Sequence, residues 1–187
     1  TWLAGLFADA ALGLEHIHRH GVIHRDVKPG NLMLTADSKR IVVMDLGLAK
    51  LLDASQALTR SDAAPVGTMR YIAPEQLRRN LAKVDHRADV YSFGATLYEL
   101  ACSRPMYDGD SHERLVQQIL NEEPPPPRKV DRSVPRDLAT IIEKAIEHAP
   151  ERRYETAAAL ASDLRAFVDH RPITASPPGL LRRAGLF

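Results

Sequence analysis

The stretch VIHRDVKPGNLML, Val22 to Leu34, places an aspartate, a lysine and an asparagine at positions 26, 28 and 31 between two apolar runs. A carboxylate can accept a proton, an ammonium can neutralise oxygens that gain charge, and an amide can join a second carboxylate in holding a divalent cation. Moving a phosphoryl group from a nucleotide to a hydroxyl requires those three services together. Taken singly, an Asp, Lys or Asn in a loop is a turn former or a solvated charge. Only the joint spacing of Asp26, Lys28 and Asn31 turns the reading toward catalysis.

HRDVKPGN, with four residues between Asp26 and Asn31, resembles the catalytic loop of protein kinases. At average residue frequencies such a window arises by chance about once in tens of millions of start positions. Later motifs follow in the same order. DLG at Asp45 to Gly47 comes after a strand-like run and resembles the magnesium-binding D-F-G. GTMRY at Gly67 to Tyr71 resembles the loop that faces the acceptor residue, and APE at Ala73 to Glu75 closes the irregular segment. DHRADVYSFG, Asp85 to Gly94, resembles the start of the buried central helix of a kinase C-lobe. From Thr1 to about His170 the chain is similar to the eukaryotic-like serine/threonine protein kinases of bacteria.

The resemblance implies roles. Asp26 is the expected catalytic base, Lys28 the cation on the transferring phosphate, and Asn31 and Asp45 the magnesium ligands. Met33 is expected beneath the adenine, and Thr68 faces the acceptor hydroxyl beside Asp26 and Lys28. His24 and Leu46 belong to the apolar column between lobes, Asp89 holds the catalytic-loop backbone, and Glu75 pairs with Arg153. Arg25 lines a basic pocket for a phosphate on the activation segment, with Thr59 the first candidate and Ser61 the second. The implied cofactors are ATP and Mg2+, with Mn2+ as a substitute, and the implied partners are proteins with Ser or Thr acceptors. Two departures stand out: Leu46 where Phe is commonest, an apolar exchange of modest cost, and Tyr154 after Arg153 where many relatives have Pro.

These residues need elements to hold them. Leu3, Leu6, Phe7, Ala10, Ala11 and Leu14 recur at three- and four-residue steps and predict a helix with one apolar face. A short strand at Val22 to His24 is expected next, then strands at Leu32 to Leu34 and Ile41 to Met44 joined by TADSKR into a hairpin. Asp45 to about Glu75 lacks periodicity, and so long a segment inside a domain is usually functional. Helical patterns resume at Glu75 to Leu81, Val84 to Ala101, Ser111 to Leu120, Arg136 to His148 and Thr156 to Val168. The expected class is α+β, predominantly α-helical: a kinase-like C-lobe with a short β-hairpin at the catalytic site. EEPPPPRK reads as a stiff connector and not as a ligand for proline-recognition domains. His16 and His20 read as a solvated helix end and not as a metal pair.

Composition narrows the alternatives. The 187 residues carry 25 basic and 24 acidic side chains, a net charge of +1 that gives no support for nucleic-acid binding. The single cysteine, Cys102, excludes an internal disulfide framework and fits a cytoplasmic setting. No apolar run approaches the roughly 20 residues of a membrane span. The expected division is a catalytic C-lobe over 1–170 and a linker or juxtamembrane-type tail over 171–187, with membrane association only through segments beyond Phe187. No glycine-rich loop, strand lysine or helical glutamate precedes Asp26, so an N-lobe is expected to be missing and the fragment alone inactive. The competing classes are a pseudokinase-like scaffold and a small-molecule phosphotransferase of the aminoglycoside or choline type. The intact set Asp26, Lys28, Asn31 and Asp45 argues against the first, and APE with the Gly67 to Tyr71 loop and Lys28 against the second.

Overall fold

The computed structural model describes residues 2–37, 39–45, 66–78 and 84–177. Their order is α1 (Trp2–Arg19), β1 (Leu32–Leu34), β2 (Ile41–Val43), α2 (Val66–Met69), α3 (Pro74–Leu77), α4 (Arg87–Cys102), α5 (His112–Asn121), α6 (Pro127–Val130), α7 (Arg136–Ala145) and α8 (Ala157–Val168). Single 3-10 turns occupy Pro29–Asn31 and Pro150–Arg152. The described residues are thus mostly helical with one small antiparallel sheet, the α+β class expected.

The centre is α4. From Ala88 to Tyr98 every residue is buried, so this helix is enclosed on all sides and acts as an interior pillar. α4 starts at Arg87, three residues later than Val84, and Asp85 just before it accepts the Arg87 N–H at 2.8 Å. Phe93 meets Phe7 of α1 with ring centroids 4.9 Å apart. At Gly94 a Cβ would stand 2.7 Å from the Ala145 Cβ, so α4 and α7 cross at a distance that glycine permits.

α1 buries Leu6, Phe7, Ala10, Ala11 and Leu14 of the stripe read from periodicity, with Leu3 half-buried, and lies along α8. Two N–H groups at the start of α8 are satisfied from different places. Thr156 accepts from Ala159 at 3.0 Å, and Glu15 on α1 accepts from Ala158 at 3.2 Å. An Asp9 to Arg165 ion pair adds a second tie between the helices.

The hairpin pairs Leu32 with Val43, Met33 with Val42 and Leu34 with Ile41. Ile41 and Val43 pack on the core, whereas Met33 and Val42 point to the open side, Met33 being 52% exposed. Val22 to His24 is not a strand. Its donors go elsewhere: Val22 to the Ile17 carbonyl at 3.1 Å and His24 to a carboxylate. The helix expected over Glu75 to Leu81 is shorter: α3 starts at Pro74 and ends at Leu77, because Arg78 is extended at φ −82 and ψ 146. The proline connector is fastened along its length. Tyr107 donates to the Glu122 carbonyl and Tyr98 to the Pro125 carbonyl, each at 2.8 Å, and burial pushes both phenol pKa values up so that they stay donors. Cys102 is also buried, which pushes its thiol up and removes it as a nucleophile.

Packing continues past His170. Ile173 rests against the core and Ala175 is buried. The cause is Asp163, whose carboxylate accepts Thr174 N–H at 2.8 Å, Thr174 Oγ1 at 2.9 Å, Ala175 N–H at 2.9 Å and the Tyr154 hydroxyl at 2.8 Å. Burial alone would raise this carboxyl, but the four donors outweigh it and hold the pKa below the ordinary value.

Replacing Asp163 with Ala leaves buried donors without acceptors and is expected to cost about 3 kcal/mol or more in urea denaturation. The depressed carboxyl contributes stability that is full above the ordinary carboxylate range, near pH 4, and is lost as pH falls through its folded value. Asp163→Asn should flatten that acid limb; an unchanged acid profile would refute the assignment.

Candidate active site

α1 ends where chemistry begins. Gly21, at φ +74, lets Val22 donate back to Ile17 and Gly21 to His18, which closes the helix and releases the chain toward the site. Four residues on, Arg25 takes φ +64 and, across the hairpin, Asp45 takes φ +53. Left-handed backbone at non-glycine residues costs of order 1–3 kcal/mol each and persists only where the surroundings hold it.

The restraint on Arg25 is Asp89, a residue of α4 with no exposed surface. Its Oδ2 accepts the His24 N–H and its Oδ1 the Arg25 N–H, each at 2.7 Å. His18 places Nε2 2.8 Å from the same Oδ2. His24, also fully buried, donates from Nε2 to the Met44 carbonyl at 2.8 Å while Nδ1 accepts the Asp26 N–H at 3.3 Å. One imidazole therefore ties the loop that carries Asp26 to the residue before Asp45.

Around Asp26 the side chains converge. Lys28 Nζ lies 3.0 Å from Asp26 Oδ2 and 3.4 Å from Thr68 Oγ1. Asn31 Nδ2 donates to the Asp26 carbonyl at 2.8 Å and to Asp26 Oδ2 at 3.1 Å. Both amide hydrogens are thus directed at Asp26, which turns the Asn31 carbonyl oxygen the other way as an acceptor. Met44 N–H donates to the Asn31 backbone carbonyl at 2.8 Å, setting Asp45, exposed, beside Asn31. An amide oxygen and a carboxylate are donor types that suit Mg2+, a cation bound through one or two protein oxygens and phosphates.

A second constellation braces the far side. Arg153, its side chain fully buried, gives Nη1 and Nη2 to the two Glu75 oxygens at 2.6 and 2.8 Å. The remaining donors reach the carbonyls of Arg87 at 2.9 Å, His148 at 3.0 Å and Glu147 at 2.6 Å. All five guanidinium N–H groups are satisfied, and the plane lies 4.8 Å from the Tyr91 ring centroid. Nearby, Gln76 accepts the Ala73 N–H at 3.1 Å and Tyr71 donates to Glu99 at 2.7 Å, fixing the chain that follows Thr68.

The residues named from sequence as Asp26, Lys28, Asn31 and Thr68 come together; Glu75 and Arg153 meet directly; Met33 stands apart on the exposed hairpin face. Leu46, Thr59 and Ser61 lie outside the described residues. Sequence reasoning missed His18 and Tyr71. For His18 the signal was its phase: two positions from both His16 and His20, it falls on the inward side of the helix they leave exposed. It also missed Arg70, whose buried Nε, like that of Arg25, has no hydrogen-bond partner among the described residues.

Compared with known proteins, residues 3–164 match the family described as protein kinase domain. The serine/threonine-protein kinase PknB of Mycobacterium leprae is 41% identical over 159 residues, 85% of this chain. PknB of Mycobacterium tuberculosis is 41% identical over 160 residues, also 85% of the chain. A probable serine/threonine-protein kinase of Streptomyces coelicolor is 38% identical over 163 residues, or 87%. The aligned part spans about a quarter of the length of these relatives, 25%, 25% and 24% respectively.

Arg153→Met strands the Glu75 carboxylate and several carbonyls, and should destabilise the fold by about 3–5 kcal/mol in urea titration. Arg153→Lys should recover only part of that loss, because an ammonium offers three donors to five acceptors. A lysine variant as stable as the parent would show that charge alone suffices.

Proposed function

This chain belongs to the protein kinase domain family, and on that footing we propose that it supplies the catalytic lobe of a serine/threonine protein kinase transferring the terminal phosphoryl group of ATP to protein Ser or Thr hydroxyls. The observation that carries the reading is the convergence of Lys28 and Asn31 on one oxygen of Asp26, with Thr68 within reach of the same ammonium. A scaffold needs no such cluster, and the names of the relatives do not favour a small-molecule phosphotransferase. The catalytic lobe is taken to run over about 1–170, with Ile173–Ala175 clasped to it and the remainder a linker.

In this reading Asp26 receives the proton of the acceptor hydroxyl as the oxygen attacks. Its carboxylate is fixed in direction by two N–H donors, so no reorientation is needed in the transition state. Lys28, held between Asp26 and Thr68, offsets charge on the phosphoryl oxygens. The Asn31 amide oxygen and Asp45 would hold a Mg2+ ion, which would supply positive charge against the nucleotide phosphates. Met33, on the open hairpin face, offers apolar area to the adenine. No described helix is long and apolar enough to cross a membrane. The kinase domain is proposed to act in the cytoplasm.

In the full-length enzyme Asp26→Asn should lower turnover by about two to four orders of magnitude without loss of folding, whereas Asp45→Asn should also weaken Mg2+-dependent nucleotide binding. Near-normal turnover in the Asp26 variant, measured by phosphate transfer to a protein substrate, would falsify the base assignment.

A regulatory reading is proposed as well: the Nε atoms of Arg25 and Arg70 have no hydrogen-bond partner among the described residues, and a phosphate on Thr59 or Ser61 would supply one. A Thr59→Ala, Ser61→Ala double variant of the full-length enzyme should lose activity about tenfold or more, with phosphopeptide mapping locating the phosphate between Asp53 and Gly67. Full activity in the double variant would remove Arg25 from this role.

A further inference from the structure

The sequence alone reads His16 and His20 as a solvated helix end, and the structure adds how the two rings are set. Four residues apart at the end of α1, both are exposed and share one face, with ring centroids 4.6 Å apart. His20 Nδ1 lies 2.8 Å from the His16 carbonyl oxygen. A carbonyl only accepts, so Nδ1 carries the hydrogen, and in the neutral ring Nε2 keeps a free lone pair. His16 is surrounded by solvent, so rotation about its own side-chain bonds brings a ring nitrogen toward the same point.

A histidine that donates one ring N–H to a backbone carbonyl and keeps the other nitrogen free has the arrangement of a metal-ligating imidazole, in which the first bond fixes the tautomer and the ring direction. Two imidazoles at i and i+4 of a helical turn can hold one ion between them. The local electrostatics agree. The end of α1 is the negative pole of the helix, and Arg19, the cation between the two histidines, is paired with Glu15 at 3.1 Å. Nitrogen donors select against Mg2+ and Ca2+, which take oxygen ligands, and suit Zn2+. Among the described residues no group of three or more His, Cys, Asp or Glu side chains is placed to hold a metal, so water completes the coordination of an ion bound by this pair.

We propose that His16 and His20 form a two-histidine Zn2+ site on the exposed face at the end of α1, with His20 Nε2 as the oriented ligand and a His16 ring nitrogen as the second. The site is separate from the Asp26 cluster and does not rest on the kinase reading. A bound ion staples the last turn of α1, from which Gly21 releases the chain.

The test is calorimetric titration of the untagged, metal-free chain with Zn2+, and with Mg2+ as control. The parent is compared with His16→Gln, His20→Gln and His170→Asn, the last replacing an exposed histidine that has no histidine four residues away. The parent should bind Zn2+ and not Mg2+. Loss of either imidazole should weaken Zn2+ binding by about tenfold or more, since disturbing even the residue behind a ligand has that effect, while His170→Asn should bind like the parent. All three replaced residues are exposed, so circular dichroism should show the fold retained in each variant. Long-range 1H–15N spectra of the metal-free parent should place the His20 hydrogen on Nδ1. Zn2+ should raise the midpoint of thermal unfolding of the parent and leave that of His16→Gln and His20→Gln in place; an unmoved parent midpoint refutes the staple. A parent that does not bind Zn2+ overturns the proposal, and so does equal binding by all four proteins or a His20 hydrogen on Nε2. A loss confined to one of His16→Gln and His20→Gln overturns it too, because that result marks a single surface imidazole and not a chelate.

Discussion

A carboxylate shut away from water must find its donors within the protein, and the way Asp89 does so organises the site. Taking a charge into the interior is unfavourable by several kcal/mol unless hydrogen bonds replace hydration. At Asp89 the replacements include the backbone N–H groups of His24 and Arg25. The same two bonds that stabilise the carboxylate hold Arg25 in left-handed backbone and so determine the direction of the next side chain, Asp26. Neither partner is comfortable alone. A buried unpaired charge and a strained loop are each unfavourable, and their pairing makes both tolerable at the point where geometry matters most.

The helix that carries Asp89 owes its burial to its neighbours. α7 approaches closely because position 94 has no side chain, α1 contributes Phe7, and Arg153 ties the carbonyl of Arg87 at the start of α4 to Glu75 on α3. One guanidinium thus joins the segment after Thr68 to the pillar beneath the catalytic loop. The helical portion does little chemistry of its own; it keeps a few polar atoms at fixed separations.

The parts legible in the sequence are those where chemistry or packing dictates residue identity. The spacing of Asp26, Lys28 and Asn31 is readable because phosphoryl transfer demands particular residue types, and the α1 stripe is readable because burial repeats with the helical turn. The failures share a cause: the deciding partner is remote in sequence. Val22 to His24 has the composition of a strand, yet the His24 donor is claimed by a carboxylate 65 residues away. The four-residue helices α2 and α6 are too short to show a period. Ile173 to Ala175 resembles the start of a polar tail, and only Asp163, folded back beside it, makes it part of the packed body. His18 was hidden by its neighbours, two exposed histidines that drew the reading toward the surface.

The Asp163 clasp has a mechanical consequence. Three of its four hydrogen bonds come from Thr174 and Ala175 and converge on one carboxylate. A pull on the chain after Ala175 loads these bonds together, as a riveted seam is loaded, and not one after another as in an unzipping hairpin. The anchor sits on α8, which is itself fastened along α1, so the clasp rests on two long packed helices and not on the short strained loop at Arg25.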